Sequence, residues 1–280
     1  MALDSIAAKW SLDLLERHPG KNRYLLVEPT QNHNSRLIIY LHGLGNDLFF
    51  PQHDMFLSLV KKGYSILSVD LDGHGLDTTT QFSEKRIHSL MASVSQVVKK
   101  IKRNSCWFVG YSLGGVIGAN GIPTCGLKFD GAIFIGAPDV NPPKSAMAWE
   151  TLTVGKKSFY RSIFTYGIGG FIPALGEFGR QSFPVRLDHD EGEDYFAVAR
   201  RIISQFPLFV SLKKLNIPVQ ICKGSLDHVA SKLESIRNFC NQNPHVSYKI
   251  LEGCTHHTTL LEPQLANVIS NFIEEHLQQR

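Results

Sequence analysis

The segment Gly110-Tyr111-Ser112-Leu113-Gly114-Gly115 places a serine between glycines two residues away on either side. It follows an apolar run that reads as a strand and precedes a helical pattern. A serine on so tight a strand-to-helix turn takes a strained backbone conformation, and its neighbours must lack bulk for the turn to close. Its hydroxyl then projects above the sheet at a helix N-terminus, where developing negative charge is favoured. That is the setting for a nucleophile attacking an acyl carbonyl. By itself the pattern is a weak signal, because a glycine-rich helix start packed on a strand needs no chemistry.

Three further segments give the serine its partners. His42-Gly43-Leu44-Gly45 follows the apolar run Arg36–Leu41. A loop there can aim the N–H of Leu44 at the space above Ser112, beside the N–H of Leu113, and the two make an oxyanion hole. Gly224-Ser225-Leu226-Asp227 follows the run Val219–Lys223, and Gly253-Cys254-Thr255-His256 follows Ser247–Leu251. Ligands of open parallel sheets bind at the carboxyl ends of the strands. Ser112, Asp227 and His256 all arrive there, as nucleophile, acid and base of a triad. Two alternatives stand beside them: His257 is adjacent to His256, and Asp139 also ends an apolar run, Phe134–Pro138. Asp139 reads equally well as an N-cap or turn residue ahead of Pro142.

These residues need a sheet to hold them. The runs Arg23–Val27, Arg36–Leu41, Ser65–Asp70, Trp107–Gly110, Ala132–Gly136, Pro218–Lys223 and Ser247–Leu251 are expected strands. Several are apolar throughout, as parallel strands buried on both faces are. Helical patterns lie between them. One runs from an N-cap at Ser83 to about Arg103, its terminal Lys99, Lys100, Lys102 and Arg103 complementing the helix dipole. Another runs from Pro263 to about His276. The alternation predicts an α/β fold with a mostly parallel, doubly wound sheet. Between Asp139 and Asn216 no strand pattern occurs; the stretch opens on Pro142-Pro143 and carries aromatics from Trp149 to Phe183. So long an insertion predicts a helical lid at 139–216, set into a core of 1–138 and 217–280. Within it, Asp188–Asp194 looks like a calcium loop, but its glycine stands fifth and its twelfth residue is Ala199, so a solvated acidic loop is expected.

Composition excludes several classes. With 43% hydrophobic and 19% charged residues, the 280-residue chain is too apolar to be disordered. Its 29 basic and 25 acidic residues are spread along the chain, which does not indicate a nucleic-acid binder. No apolar run approaches a membrane span. The start, MALDSIAAKW, lacks a basic region followed by an apolar core, so no signal peptide is expected. Five scattered cysteines without a CxxC argue against a disulfide framework or a zinc site, and fit a reducing cytoplasm. Cys254, next to the proposed base, reads as a small packed thiol.

From about Arg23 to Leu277 the sequence resembles the α/β-hydrolase superfamily. The resemblance rests on HGLG, on DLDGHG at Asp70–Gly75, on GYSLGG, on GSLD, and on GCTH followed by Pro263. DLDGHG is similar to the family's structural D-x-x-G-x-G turn, with Asp72 where a basic residue or proline is common. The resemblance implies His256 as the base, three residues after Gly253 and seven before Pro263, and Asp227 as the commoner acid position. It implies an esterase, thioesterase or acylglycerol-lipase flavour with a lid and no cofactor. Serine at 112 sets the chain apart from relatives with a carboxylate nucleophile. The expected substrate is a small ester or thioester with an apolar acyl or aryl part. Cleavage of a carbon–carbon bond, acyl transfer, or slow-turnover sensing of a small molecule are the alternatives the same triad leaves open.

Overall fold

The computed structural model describes residues 8–17, 20–31, 34–49, 51–75, 82, 83, 87–101, 103, 105–143, 145, 146 and 195–278. The elements in chain order are β1 (Ala8–Arg17), β2 (Gly20–Pro29), β3 (Arg36–Leu41), α1 (His53–Lys61), β4 (Ser65–Val69), α2 (Ile87–Ile101), β5 (Ser105–Tyr111), α3 (Leu113–Gly121), β6 (Gly131–Ile135), α4 (Tyr195–Gln205), α5 (Leu208–Leu212), β7 (Val219–Gly224), α6 (Leu233–Gln242), β8 (Val246–Leu251) and α7 (Leu265–Gln278).

The eight strands form one sheet in the order β1-β2-β4-β3-β5-β6-β7-β8. From β4 to β8 every pairing is parallel. The two involving β2 are antiparallel. The strands β4 and β6 are buried along their whole length, as parallel strands covered on both faces are. Alternate residues divide between the two faces: Leu37, Ile39 and Leu41 join the core beneath α2, α3 and α6, while Ile38 and Tyr40 join the core beneath α1 and α7. Helices thus cover both faces, and the doubly wound α/β expectation holds.

The difference from the sequence reading lies at the N-terminus. Ala8–Arg17 is a strand that pairs with β2 alone, at the edge of the sheet. Its alternating residues carry charges among the apolar ones, so it lacks the continuous run that marks the central strands.

In the 139–216 stretch the described residues contain helix and no strand. Val198, Ile202, Leu208 and Leu212 of α4 and α5 pack into the same core as α3. Both ends of the stretch are also tied together: the N–H of Phe209 donates to Asp139 Oδ1 at 2.7 Å. The aromatics from Trp149 to Phe183 and the acidic run Asp188–Asp194 lie outside the described residues. Among the described residues, no helix is long and apolar enough to cross a membrane.

Candidate active site

Ser112 stands between β5 and α3 with φ 50° and ψ −120°. For a non-glycine residue this conformation costs about 1–3 kcal/mol, which the surroundings must hold in place. They do so through backbone bonds. The Ser112 N–H donates to the Ile135 carbonyl at 2.8 Å, and the Ser112 carbonyl accepts from Gly115 at 3.0 Å and Val116 at 3.3 Å. The flanking glycines are required by space. A Cβ at residue 110 would lie 2.6 Å from the Gly115 Cα, and one at residue 114 would lie 2.3 Å from the His42 carbonyl oxygen. The turn closes because those positions carry no side chain.

Asp227 and His256 come from β7 and β8, and their loops are laced together. Ser225 and Leu226 donate backbone N–H groups to Leu251 and Cys254, and Gly253 donates to Ser225 Oγ. A Cβ at Gly224 would meet the Cys254 carbonyl oxygen at 2.2 Å, so glycine there lets the two loops cross. His256 is held further by a threonine turn: Thr255 N–H donates to Thr258 Oγ1 at 2.7 Å, and Thr259 Oγ1 donates to the Thr255 carbonyl at 2.6 Å.

The result is a linear hydrogen-bonded array. His256 Nδ1 lies 2.9 Å from Asp227 Oδ2, and His256 Nε2 lies 2.9 Å from Ser112 Oγ. An ionised carboxylate only accepts, so the ring proton sits on Nδ1 and Nε2 is left to accept from the serine hydroxyl. Asp227 and His256 are both buried, at 3% exposure each, while Ser112 is partly open to solvent. The other carboxylate oxygen, Oδ1, accepts from the N–H groups of Val229 and Ala230, both at 2.8 Å.

Asp139, the other acid considered, is engaged with Phe209 and not with His256. His257 has its Nδ1 3.2 Å from the Tyr111 hydroxyl. Burial and the neighbouring His256 charge hold the His257 ring at about 3, well below its ordinary value. Cys254 is buried, with Sγ near the Glu252 carbonyl and the Glu262 carboxylate, as a packed thiol would be.

Burial pushes the Asp227 carboxyl up. The charge and hydrogen bond of His256, the charge of Lys223 and the Ala230 amide outweigh it and leave the group at about 2. Lys223 also donates to the Asp227 main-chain carbonyl. A carboxyl whose folded value is depressed stabilises the protein above its unfolded value, about 3.9. That stabilisation is lost as pH falls through the folded value. The melting temperature of the wild type is therefore expected to converge on that of Asp227→Asn between pH 5 and pH 2.5. A gap between the two curves that stays constant across that range would contradict the assignment.

The loop opposite, His42–Leu48, is braced from below. Gly43 lies against Ser112: a Cβ there would be 3.0 Å from Ser112 Cβ. His42 is buried, with Nδ1 2.8 Å from the Gly43 carbonyl, and its Nε2 accepts from Leu71 N–H at 3.0 Å. The ring therefore carries its proton on Nδ1 and ties this loop to the turn after β4. Asp70 Oδ1 accepts from Leu48 N–H at 2.7 Å, a second tie between the same two segments. Gly75, at φ 65°, is needed because a Cβ there would strike the Asp70 carboxylate at 2.4 Å. The DLDGHG segment is thus a bracket for the loop above Ser112.

Leu44 follows Gly43 in that loop, where the Asn46 N–H donates to the Gly43 carbonyl at 3.2 Å in a tight turn. Leu113 is the first residue of α3, where a helix leaves its N–H groups without intrahelical acceptors. Beyond Asp227 lies a cavity of about 650 Å³, walled also by Pro143, Ala146, Lys223 and Lys232. Among the described residues, no three His, Cys, Asp or Glu side chains are grouped to hold a metal ion.

The sequence reading passed over Tyr111, Lys223, Thr255 and Thr258, which hold these groups from outside. Tyr111 and Thr255 occupy the variable places of GYSLGG and GCTH, so spacing carries no signal for them.

The model of the "Alpha/beta hydrolase family" matches residues 38–267. None of the curated proteins is similar in sequence. Solved structures are similar across nearly the whole chain. A carboxylesterase of Nitrososphaera gargenis is 15% identical, with 96% of this chain and 100% of that one covered and a TM-score of 0.66. The thioesterase domain from the curacin biosynthetic pathway is 17% identical, with 94% and 99% covered and a TM-score of 0.62. A bromoperoxidase from Bacillus anthracis is 14% identical, with 95% and 100% covered and a TM-score of 0.63. At these identities the likeness establishes the fold and leaves the chemistry to the site.

Proposed function

The chain belongs to the alpha/beta hydrolase family, and we propose that it cleaves a carboxylic ester or thioester with an apolar acyl or aryl part through an acyl-enzyme on Ser112. The observation that carries this reading is the unbroken array Asp227–His256–Ser112, with both contacts at 2.9 Å, ending on a strained, solvent-reachable serine.

The chemistry follows from that array. His256 Nε2 takes the hydroxyl proton as Ser112 Oγ attacks the acyl carbonyl, and Nδ1–H stays bonded to the ionised Asp227. The imidazolium that forms is stabilised by that carboxylate and returns the proton to the departing alcohol or thiol. Water, deprotonated by the same nitrogen, then attacks the acyl carbonyl, and the imidazolium returns that proton to Ser112 Oγ as the acyl–oxygen bond breaks and the acid leaves. The N–H groups of Leu44 and Leu113 are the donors for the oxyanion, and losing one such donor typically costs about 10²–10³ in rate. Every step uses side chains and backbone of this chain. We read the 139–216 insertion as a lid, and its aromatic sequence is what favours an apolar substrate part.

The test is turnover on p-nitrophenyl esters and acyl thioesters of graded chain length. Sustained steady-state hydrolysis of at least one class is expected, with kcat/KM rising with the apolar length of the acyl group. A single stoichiometric burst followed by retained product would replace the enzyme by a slow sensor. Inertness to both classes would remove the ester reading.

A further inference from the structure

Ser112 and His256 lie 144 residues apart in the chain and must meet within a few tenths of an ångström. Three loops converge on this point: the turn after β5, the His42–Leu48 loop and the Gly253–Pro263 loop. One side chain touches all three. Tyr111 closes β5, opposite Ile135 of β6, and is 1% exposed. Its ring lies against the His256 ring, centroids 5.0 Å apart and planes inclined by 32°. The ring also fills the place of a side chain at residue 43, where a Cβ would come within 2.8 Å of Tyr111 Cδ1. Its hydroxyl lies 3.3 Å from the His256 carbonyl oxygen and 3.2 Å from His257 Nδ1.

These contacts have one consistent direction. A carbonyl only accepts, so the single hydroxyl proton of Tyr111 goes to His256. The hydroxyl oxygen then accepts from an N–H on His257 Nδ1. Burial keeps the His257 ring neutral, at about 3, so it carries one proton, which this bond places on Nδ1.

We propose that Tyr111 is the positioning residue of the site: its ring spaces the base from the Gly43 loop, and its hydroxyl, oriented by His257, holds the main chain of His256 so that Nε2 stays on Ser112 Oγ. The proposal rests on the reading of Ser112 and His256 as nucleophile and base. It adds a specific cause for their alignment. The residue before the nucleophile grips the base, so the distance between them is governed by one rigid side chain.

The test compares Tyr111→Phe with wild type in kcat, in KM, and in the limiting rate of inactivation by a fluorophosphonate. A displacement of about 1 Å in a reacting pair can cost about 10²-fold, and loss of one hydroxyl bond to its anchor allows part of that. The expected result is a fall of about tenfold in kcat and in the inactivation rate, with KM within about twofold. The inactivation rate reads the serine–histidine pair without the deacylation step. His257→Leu leaves the tyrosine in place and gives an independent reading. It should lower kcat several-fold at unchanged KM, and His257→Asn, which can again offer an N–H, should recover most of the loss.

Rates within twofold of wild type in both Tyr111→Phe and His257→Leu would overturn the proposal. So would a rise in KM alone, which would make Tyr111 a substrate contact, or a lowered melting temperature with kcat unchanged, which would make it merely structural. If wild type is never labelled at Ser112, the underlying reading fails instead, and the two failures are thereby distinguished.

Discussion

Replacing Ser112 with alanine is expected to lower kcat for any ester the protein turns over by about 10⁵–10⁶-fold, while the protein stays folded. The substitution removes one atom, Oγ, whose hydrogen-bond partner is His256 Nε2. Everything that shapes the turn survives it. The bonds from Ser112 N–H to Ile135 and from Gly115 and Val116 to the Ser112 carbonyl are main-chain bonds, and alanine keeps the Cβ. The strained φ of 50° is retained, so the melting temperature should move little. What is lost is the atom that forms the acyl bond in the proposed mechanism. Residual hydrolysis would come from the oxyanion donors and from binding. Activity within tenfold of wild type in a folded Ser112→Ala protein would place the nucleophile elsewhere.

Asp227→Asn should cost about 10⁴-fold in kcat through a different cause. Asparagine has the same shape, and its oxygen can still accept from Val229 and Ala230 as Oδ1 does. Its amide, however, offers an N–H to His256 Nδ1 where the carboxylate offered a lone pair. The imidazole then takes the other tautomer, with its proton on Nε2, and can no longer accept from Ser112. The imidazolium of the transition state also loses its counter-charge. Asp139→Asn is the control that separates the two acids. Asp139 Oδ1 accepts from Phe209 N–H at the start of α5, so that substitution should leave kcat within about threefold and act, if at all, on stability. Equal losses in the two variants would mean that the tautomer argument is wrong.

The parts of the molecule that sequence alone reveals are those whose physics is local. The strands from β2 to β8 are legible as short runs rich in Val, Ile, Leu and aromatics bounded by turns, and the Ser112 turn as glycines spaced around a serine. β1 is not legible in that way, since it pairs only with β2 and its charges break any apolar run. Which of His256 and His257, and of Asp227 and Asp139, meets Ser112 or its partner depends on contacts across loops, which spacing constrains without showing. Tyr111 is the clearest case. Nothing in GYSLGG asks for a tyrosine, and its reason is found only where the Gly43 and His256 loops close on it. Gly224 is similar: its need for no side chain comes from Cys254, 30 residues away and on another strand's loop.

The central claim is a covalent intermediate on one serine. Its most direct test is to treat the folded protein with a fluorophosphonate, digest it, and locate the adduct by tandem mass spectrometry. One adduct per chain is expected, on Ser112, absent from Ser112→Ala and formed far more slowly in His256→Ala. An adduct on any other residue of the wild type, or full labelling of Ser112→Ala, would contradict it.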